Sequence, residues 1–340
     1  MSAASARARP DSSAQSSAQS VADDVRRGLI HSPKRLPAYL FYDDLGSALY
    51  EQITALPEYY LTRAERSIFE THAGDIVART MAGDPRSVGV VELGAGSASK
   101  TEVLLRAVLE RQRSCTYVPV DVSTAAIEDA QGRLRASLPR LRVRPLVLSH
   151  EEAIGALPGL EAPQIVLFIG SSVGNFEDDE AARLLRGVRV ALGSETWLLL
   201  GTDLRKSPDV LIPAYDDAAG VTAAFNKNVL ARINRELGGH FDLDRFRHVA
   251  RWNERESRIE MHLESVVAQE VAIDHLSLRV RFRAGETIHT ESSVKYDQPR
   301  VDRLLGAAGF RVETTFYDAE RRFALHLARA CRLPNVGGAS

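Results

Sequence analysis

Glycines 94 and 96 of this 340-residue chain follow an apolar run, 88–93, and precede a segment of helical pattern that starts near Ser99. Glycines at such a turn let the backbone approach a ligand, and the start of a helix offers unpaired N–H groups. A dinucleotide fingerprint would carry a third glycine where Ser99 stands, so the turn serves either a nucleoside ligand without a pyrophosphate or simply a tight reversal. Asp121 ends the next apolar run, YVPVD. Its carboxylate could accept both hydroxyls of a ribose, or it could cap the helix that follows. Gly94, Gly96 and Asp121 together suit S-adenosylmethionine better than a nicotinamide dinucleotide.

Three further sets of residues could hold a small polar molecule. Gly170 and Asn175 lie in FIGSSVGNF, beyond another apolar run. An amide there both donates and accepts, which suits an amino-acid head group, although an Asn before Glu177 also suits a turn cap. Glu291 and Ser293 stand two apart on a β-prone run and so share a face. Such a pair could grip the two nitrogens of an imidazole, or it could be a solvated strand face. Tyr42, Tyr50, Tyr59 and Tyr60 cluster ahead of the first apolar run, a composition that fits packing as readily as catalysis.

The elements that must position these residues show a clear rhythm. Short apolar runs at 88–93, 117–120, 143–148, 165–169 and 197–200 alternate with amphipathic stretches at 101–111, 124–137 and 178–192, which predicts parallel strands joined by crossover helices. Residues 206–246 then read as helical. From 247 to 296, RIEMHLESV, LSLRVRF and TESSVKY follow one another without helices, as antiparallel strands of an inserted block. QPRVDRLLGAAGF is a helix closed by a glycine, and RVETTFYD and FALHLARA are two last strands. The expected fold class is α/β, a seven-stranded Rossmann-like sheet carrying a second, inserted α+β domain.

Composition agrees with a globular protein of that size, with 44% hydrophobic and 26% charged residues and a net charge of −2. Basic residues are almost all arginine, with only five lysines, at 34, 100, 206, 227 and 295. The one basic stretch, 133–144, reads as a solvated helix and connector, so no nucleic-acid partner is expected. Cys115 and Cys331 have no metal-like spacing, and the histidines at 240, 248, 262, 275 and 289 form no HExxH pattern, so no metal is expected. The Ser- and Ala-rich residues 1–21 read as a disordered tail. No apolar run approaches a membrane span, and the protein is expected to be a cytoplasmic monomer.

FYDDLGSALYEQITALPEYYLTRAE, ELGAGSASKT, FIGSSVGNF, AYDDAAGVTAAFN, RIEMHL and TESSVKY, in this order from about residue 21 to about 330, closely resemble the histidine-specific Nα-methyltransferases of ergothioneine biosynthesis. The resemblance implies a class I S-adenosylmethionine-dependent fold, with a methyltransferase domain at 64–205 plus 296–334 and a histidine-binding domain at 22–63 plus 206–295. It implies cofactor contacts at Gly94, Gly96, Lys100, Asp121 and Gly170, with Ser149 and His150 beside the adenine. On the substrate side it implies Tyr59, Asn175 and Tyr215 around the amino and carboxylate groups, Glu291 and Ser293 at the imidazole, and Met261 lining that pocket. Two positions depart from the family pattern: Ser149-His150 replaces an Asp-Phe pair, and Tyr50 stands where Phe is usual.

The implied activity is three successive methyl transfers to the α-amine of L-histidine, giving hercynine. Each is an in-line displacement that needs alignment and a neutral amine. An α-amine titrates near pH ~8, so a hydroxyl suffices as proton acceptor, and Tyr42 and Tyr59 are the candidates. The competing readings are the same chemistry on another aromatic amino acid such as tryptophan, and a non-catalytic protein that binds S-adenosylmethionine or histidine. An indole would need a roomier pocket without the carboxylate of Glu291.

Overall fold

The computed structural model describes residues 12–82, 87–157 and 163–331. Helix α1 (Ser12–Ile30) leads to a two-residue strand β1 (Lys34–Arg35), then to α2 (Asp44–Ala55) and α3 (Leu61–Thr80). The alternating region follows as β2 (Gly89–Leu93), α4 (Thr101–Arg111), β3 (Cys115–Asp121), α5 (Thr124–Ser137), β4 (Leu141–Val143), β5 (Leu146–Val147), α6 (His150–Ala156), β6 (Gln164–Phe168), α7 (Asp178–Leu192) and β7 (Trp197–Asp203). Beyond it come α8 (Pro208–Leu211), α9 (Val221–Leu237), β8 (Phe246–Asn253), β9 (Arg258–Ser265), β10 (Gln269–Ile273), β11 (Leu278–Phe282) and β12 (Thr287–Val294). The chain closes with α10 (Gln298–Ala308), β13 (Phe310–Tyr317) and β14 (Phe323–Ala330).

The large sheet runs β13-β14-β7-β6-β2-β3-β4, with β5 also paired to β3. Strand β2 is parallel to β3 and β6, β6 is parallel to β7, and β14 is antiparallel to both β7 and β13. From β2 the chain steps outward through β3 and β4, then returns to lay down β6 and β7 on the other side. Strand order therefore reverses between β2 and β6, and open α/β sheets bind ligands beyond the carboxyl ends of the strands at such a reversal.

The central strands are apolar on both faces because helices cover both. Val91, Leu93, Val118, Val120, Val166, Phe168, Leu198 and Leu200 share one buried cluster with residues of α6, α7 and α10. The alternate residues Val90, Tyr117, Ile165, Leu167 and Leu199 are equally buried and point the opposite way. Helices α3 and α4 pack on each other and on β14 and β3.

Three stretches differ from the sequence reading. The run 143–148 is two short strands instead of one, because Pro145 has no N–H to give the ladder. Both pieces still pair with β3, at Cys115–Tyr117 and at Val120–Asp121. The helical stretch read at 206–246 is interrupted at 215–220 and ends at Leu237, since Asp217 accepts from the N–H groups of Val221 (2.9 Å) and Thr222 (2.7 Å) and starts α9 there. Of the tail read at 1–21, residues 1–11 lie outside the described residues, whereas 12–21 are the first turns of α1. That stretch holds no glycine or proline to stop a helix propagating back from Val21–Ile30.

By compactness the chain forms two units, one of 1–43, 223–249 and 261–291, the other of 44–222, 250–260 and 292–340. In the first, Phe41 stacks on Phe225 with ring centroids 4.5 Å apart, and Phe241, Phe246 and Phe282 form a second aromatic group. Strand β1, too short to be read from sequence, pairs in parallel with β12 at Lys34 and Arg35. Strands β10 and β11 form an antiparallel hairpin. Among the described residues no helix is long and apolar enough to cross a membrane.

Candidate functional site

At the carboxyl end of β2 the backbone turns through Gly94 at φ +72°, a left-handed conformation that glycine adopts without strain. The N–H groups of Gly94 and Ala95 both donate to the carbonyl of Val120, at 2.8 and 3.0 Å. This ties the turn to the end of β3. Asp121 is held on both oxygens: Oδ2 accepts from the N–H of Gly96 at 2.8 Å and Oδ1 from the N–H of Ser123 at 2.9 Å. The helix cap weighed for Asp121 is instead Ser123, whose hydroxyl accepts from Ala126 N–H. Two backbone donors fix the orientation of the carboxylate and leave each oxygen a further lone pair. A methyl group added at Gly96 would meet nothing within 4 Å, so the turn borders open space, and the acceptor pair with its glycine cradle fits a nucleoside ribose.

His150 reaches this turn from the start of α6. A Cβ on Gly94 would lie 3.2 Å from its Nε2. The ring packs edge-on against Phe168, centroids 5.4 Å apart, and near Phe176. Burial lowers its pKa, outweighing Asp121, so it presents a neutral imidazole. Ser149 is spent locally. Its hydroxyl faces Glu152 Oε2 at 2.7 Å and accepts from Glu152 N–H at 3.3 Å, while Ser149 N–H donates to Glu152, which completes a capping box on α6.

The loop after β6 adjoins the same turn. Gly170 is left-handed at φ +72°, and so is Ser171 at +58°. The strained Ser171 is held by its hydroxyl, which accepts from Asp203 N–H at 2.9 Å. Buried Glu65 from α3 binds Gly170 N–H at 2.8 Å and pairs with the ammonium of Lys100. A Cβ on Gly170 would lie 3.6 Å from Lys100 Nζ. Burial opposes the charge on Lys100, but Glu65 outweighs it and its pKa is raised. Asn175 ends a single 3-10 turn, Ser172–Asn175, and the cap of α7 is Glu177. The side-chain amide of Asn175 is therefore not consumed as a helix cap. Gly174 next to it lies against the backbone of Val294, where a Cβ would sit 2.9 Å from the carbonyl oxygen. This brings the Asn175 loop beside the end of β12.

On that side Tyr59, Tyr215 and Ser293 come together. The rings of Tyr59 and Tyr215 meet edge-on at 6.4 Å, and Tyr50 approaches Tyr59 in the same manner at 6.3 Å. Tyr215 Oη lies 2.7 Å from Ser293 Oγ. Behind them is a buried charged cluster that the sequence reading did not single out. Lys295 donates to Tyr215 at 2.7 Å and Ser293 at 2.9 Å, and pairs with Asp203 at 2.8 Å. Asp203 also accepts from Tyr60 at 2.8 Å and pairs with Lys206. Burial opposes charge on Lys295 and Asp203, yet each is outweighed by its partners: Lys295 is raised and Asp203 lowered. For Lys206 burial wins over Asp203 and pulls the pKa down to about 8. Burial, reinforced by Asp203, raises the Tyr60 phenol well above its ordinary value.

Tyr42, Met261 and Glu291 belong to the other unit. Tyr42 packs edge-on against Phe225 at 5.9 Å. Met261 is buried on β9, and the hydroxyl of Thr290 lies 3.0 Å from its carbonyl and 2.8 Å from Asn226 Oδ1. Glu291 is half-buried on β12, two residues before Ser293 on the same face of that strand. Among the described residues no group of three or more His, Cys, Asp or Glu could hold a metal ion.

Comparison with known proteins adds the family. The model of the S-adenosylmethionine-dependent, histidine-specific methyltransferases matches residues 21–330. Histidine N-alpha-methyltransferase of Mycolicibacterium smegmatis is 42% identical over 93% of this chain and 96% of its own length. The protein of the same name from Mycobacterium tuberculosis is 39% identical over 90% and 93%. Ergothioneine biosynthesis protein 1 of Neurospora crassa is 26% identical over 88% of this chain, which spans 34% of that longer protein. With the match running across nearly the whole chain, this protein belongs to the S-adenosylmethionine-dependent, histidine-specific methyltransferase family.

Proposed function

We propose that this protein transfers three methyl groups from S-adenosylmethionine to the α-amine of L-histidine, giving hercynine in ergothioneine biosynthesis. The observation that carries this reading is the near full-length likeness to two histidine N-alpha-methyltransferases. The cosubstrate supplies an electrophilic sulfonium methyl, and the protein supplies alignment and a neutral amine. Asp121 would take the ribose hydroxyls on the lone pairs that Gly96 and Ser123 leave open. Lys100 would meet the carboxylate of the methionyl part from beside Gly170, and His150 would stand as an aromatic wall for the adenine. Ser149 would act there through the helix it caps.

On the substrate side Asn175 and Tyr215 would hold the amino and carboxylate groups. Glu291 and Ser293 would take the two imidazole nitrogens, with Met261 as an apolar wall. Tyr59 or Tyr42 would accept the amine proton. The faces of Tyr59 and Tyr215 would tolerate the methylammonium as it grows. The two functional domains are proposed at 64–205 plus 296–334 and at 22–63 plus 206–295. The test is to incubate purified protein with S-adenosylmethionine and each amino acid and to weigh the products. Histidine gaining one, two and then three methyl groups is the expected result. No product with histidine, or a better one with tryptophan, would end this reading.

A further inference from the structure

Glu65 and Lys100 form an ion pair in which the carboxylate side chain is fully buried, whereas the lysine side chain keeps 20% of its surface exposed. Both oxygens of Glu65 accept from Gly170 N–H, at 2.8 and 3.1 Å, and Oε2 also takes the ammonium of Lys100. Strand β7 closes the other side, where a Cβ added to Gly201 would overlap Oε1. The carboxylate thus has one position and no face for a ligand. An ammonium has three hydrogens, and among the described residues Glu65 is the one hydrogen-bond acceptor of Lys100 Nζ. The lysine keeps donor capacity that the carboxylate lacks.

That capacity lies at the glycine turns. A Cβ on Gly170 would stand 3.6 Å from Lys100 Nζ and 3.6 Å from Ser172 Oγ, and one on Gly94 would stand 4.0 Å from the same hydroxyl. A lysine head on its flexible stem has no fixed direction of its own. Burial also works against its charge, and Glu65 more than restores it.

We propose that Glu65 is a positioning residue for cosubstrate recognition: it holds the ammonium of Lys100 beside Gly170, so that the lysine's remaining hydrogens select a nucleoside whose tail carries a carboxylate. This rests on the proposed function, in which that nucleoside is S-adenosylmethionine.

Calorimetry on the full chain compares S-adenosylhomocysteine with its decarboxylated analogue, which keeps the adenosine, the sulfur and the amine and lacks only the carboxylate. The unaltered protein is expected to bind S-adenosylhomocysteine about 10- to 100-fold more tightly, the range for a hydrogen bond between charged groups. In Glu65→Gln, which keeps the shape of the side chain and removes its charge, the ratio should shrink to about threefold or less. Affinity for the analogue should change less than about threefold. A ratio that holds or rises overturns the proposal, and so does an equal loss for both ligands, which is what a merely structural role would give.

If Glu65→Gln does not fold, a crystal structure of the unaltered protein with S-adenosylhomocysteine decides. Lys100 Nζ within about 3.2 Å of both Glu65 and the tail carboxylate upholds the role of Glu65. An ammonium that has left Glu65, or a carboxylate bound elsewhere, overturns it. Failure to methylate histidine with S-adenosylmethionine refutes the proposed function, whereas methylation together with an unchanged ratio in Glu65→Gln refutes only this inference.

Discussion

At the turn after β2 a carboxylate is held by backbone: Asp121 receives the N–H groups of Gly96 and Ser123, the farther of them 25 residues away. Behind Tyr215 a carboxylate is held by side chains: Asp203 receives Tyr60 from 143 residues away, together with Lys206 and Lys295. The first arrangement is local, half-buried and open to a ligand. The second is long-range and closed, one carboxylate shared between two ammoniums and a phenol inside the protein. The difference teaches that two acidic residues at the carboxyl ends of strands of one sheet, β3 and β7, can be held in opposite ways, one by backbone with acceptor capacity left over and one by side chains that it in turn holds in position.

The sharpest way to break this comparison is Asp203→Ala. It leaves Lys295 and Lys206 buried without their counter-charge and should cost about 3–5 kcal/mol of stability. Chemical denaturation reads this directly, and a loss under ~1 kcal/mol would show that the cluster is not a matched buried network. Next comes Asp121→Ala, which should weaken S-adenosylmethionine binding about 10- to 100-fold by calorimetry, from loss of a charged hydrogen-bonding group. Its stability should change less than that of Asp203→Ala, because no buried charge is orphaned. Reversed effects for the two aspartates would dissolve the contrast.

The third test uses pH. The folded pKa of Lys206 is depressed to about 8 from 10.5, so between those values the unfolded chain binds more protons than the native one, and this group makes stability rise with pH. The unaltered protein should therefore gain melting temperature relative to Lys206→Met on going from pH ~7.5 to ~9.5. A constant gap between the two would place the ammonium in solvent. The smallest expected effect is Ser149→Ala, about 1 kcal/mol of stability for the lost helix cap. Cofactor affinity should move less than about threefold in that variant, since the hydroxyl already serves Glu152. A larger change would make Ser149 a direct adenine contact.

Much of the local framework was legible beforehand. The period of apolar runs located β2, β3, β6 and β7, and Gly94 with Asp121 marked the turn after β2 and the end of β3, because turn geometry and strand alternation are encoded within a few residues. The split at Pro145 was also written in the chain, but as one residue inside an apolar run it was overridden by the pattern around it. The cluster around Asp203 was harder. Asp203 with Lys206, Tyr60 and Lys295 lie in three segments whose local patterns are unremarkable, and burial of a lysine is set by its partners. One signal was available in composition. In a chain with only five lysines among 43 basic residues, Lys100, Lys206 and Lys295 all pair with buried carboxylates.

The sequence by itself determined the α/β rhythm, the inserted block, the glycine turn with its aspartate, and a family likeness resting on six separated motifs. Tertiary structure alone decided that Glu65 anchors Lys100 to Gly170 and that Lys295 stands behind Tyr215 and Ser293. Propensity and periodicity act over one or two turns of chain, so sequence reveals what they govern. Charge pairing and hydrogen-bond saturation in a buried site depend on residues distant in sequence, and only the folded chain brings them within reach of one another.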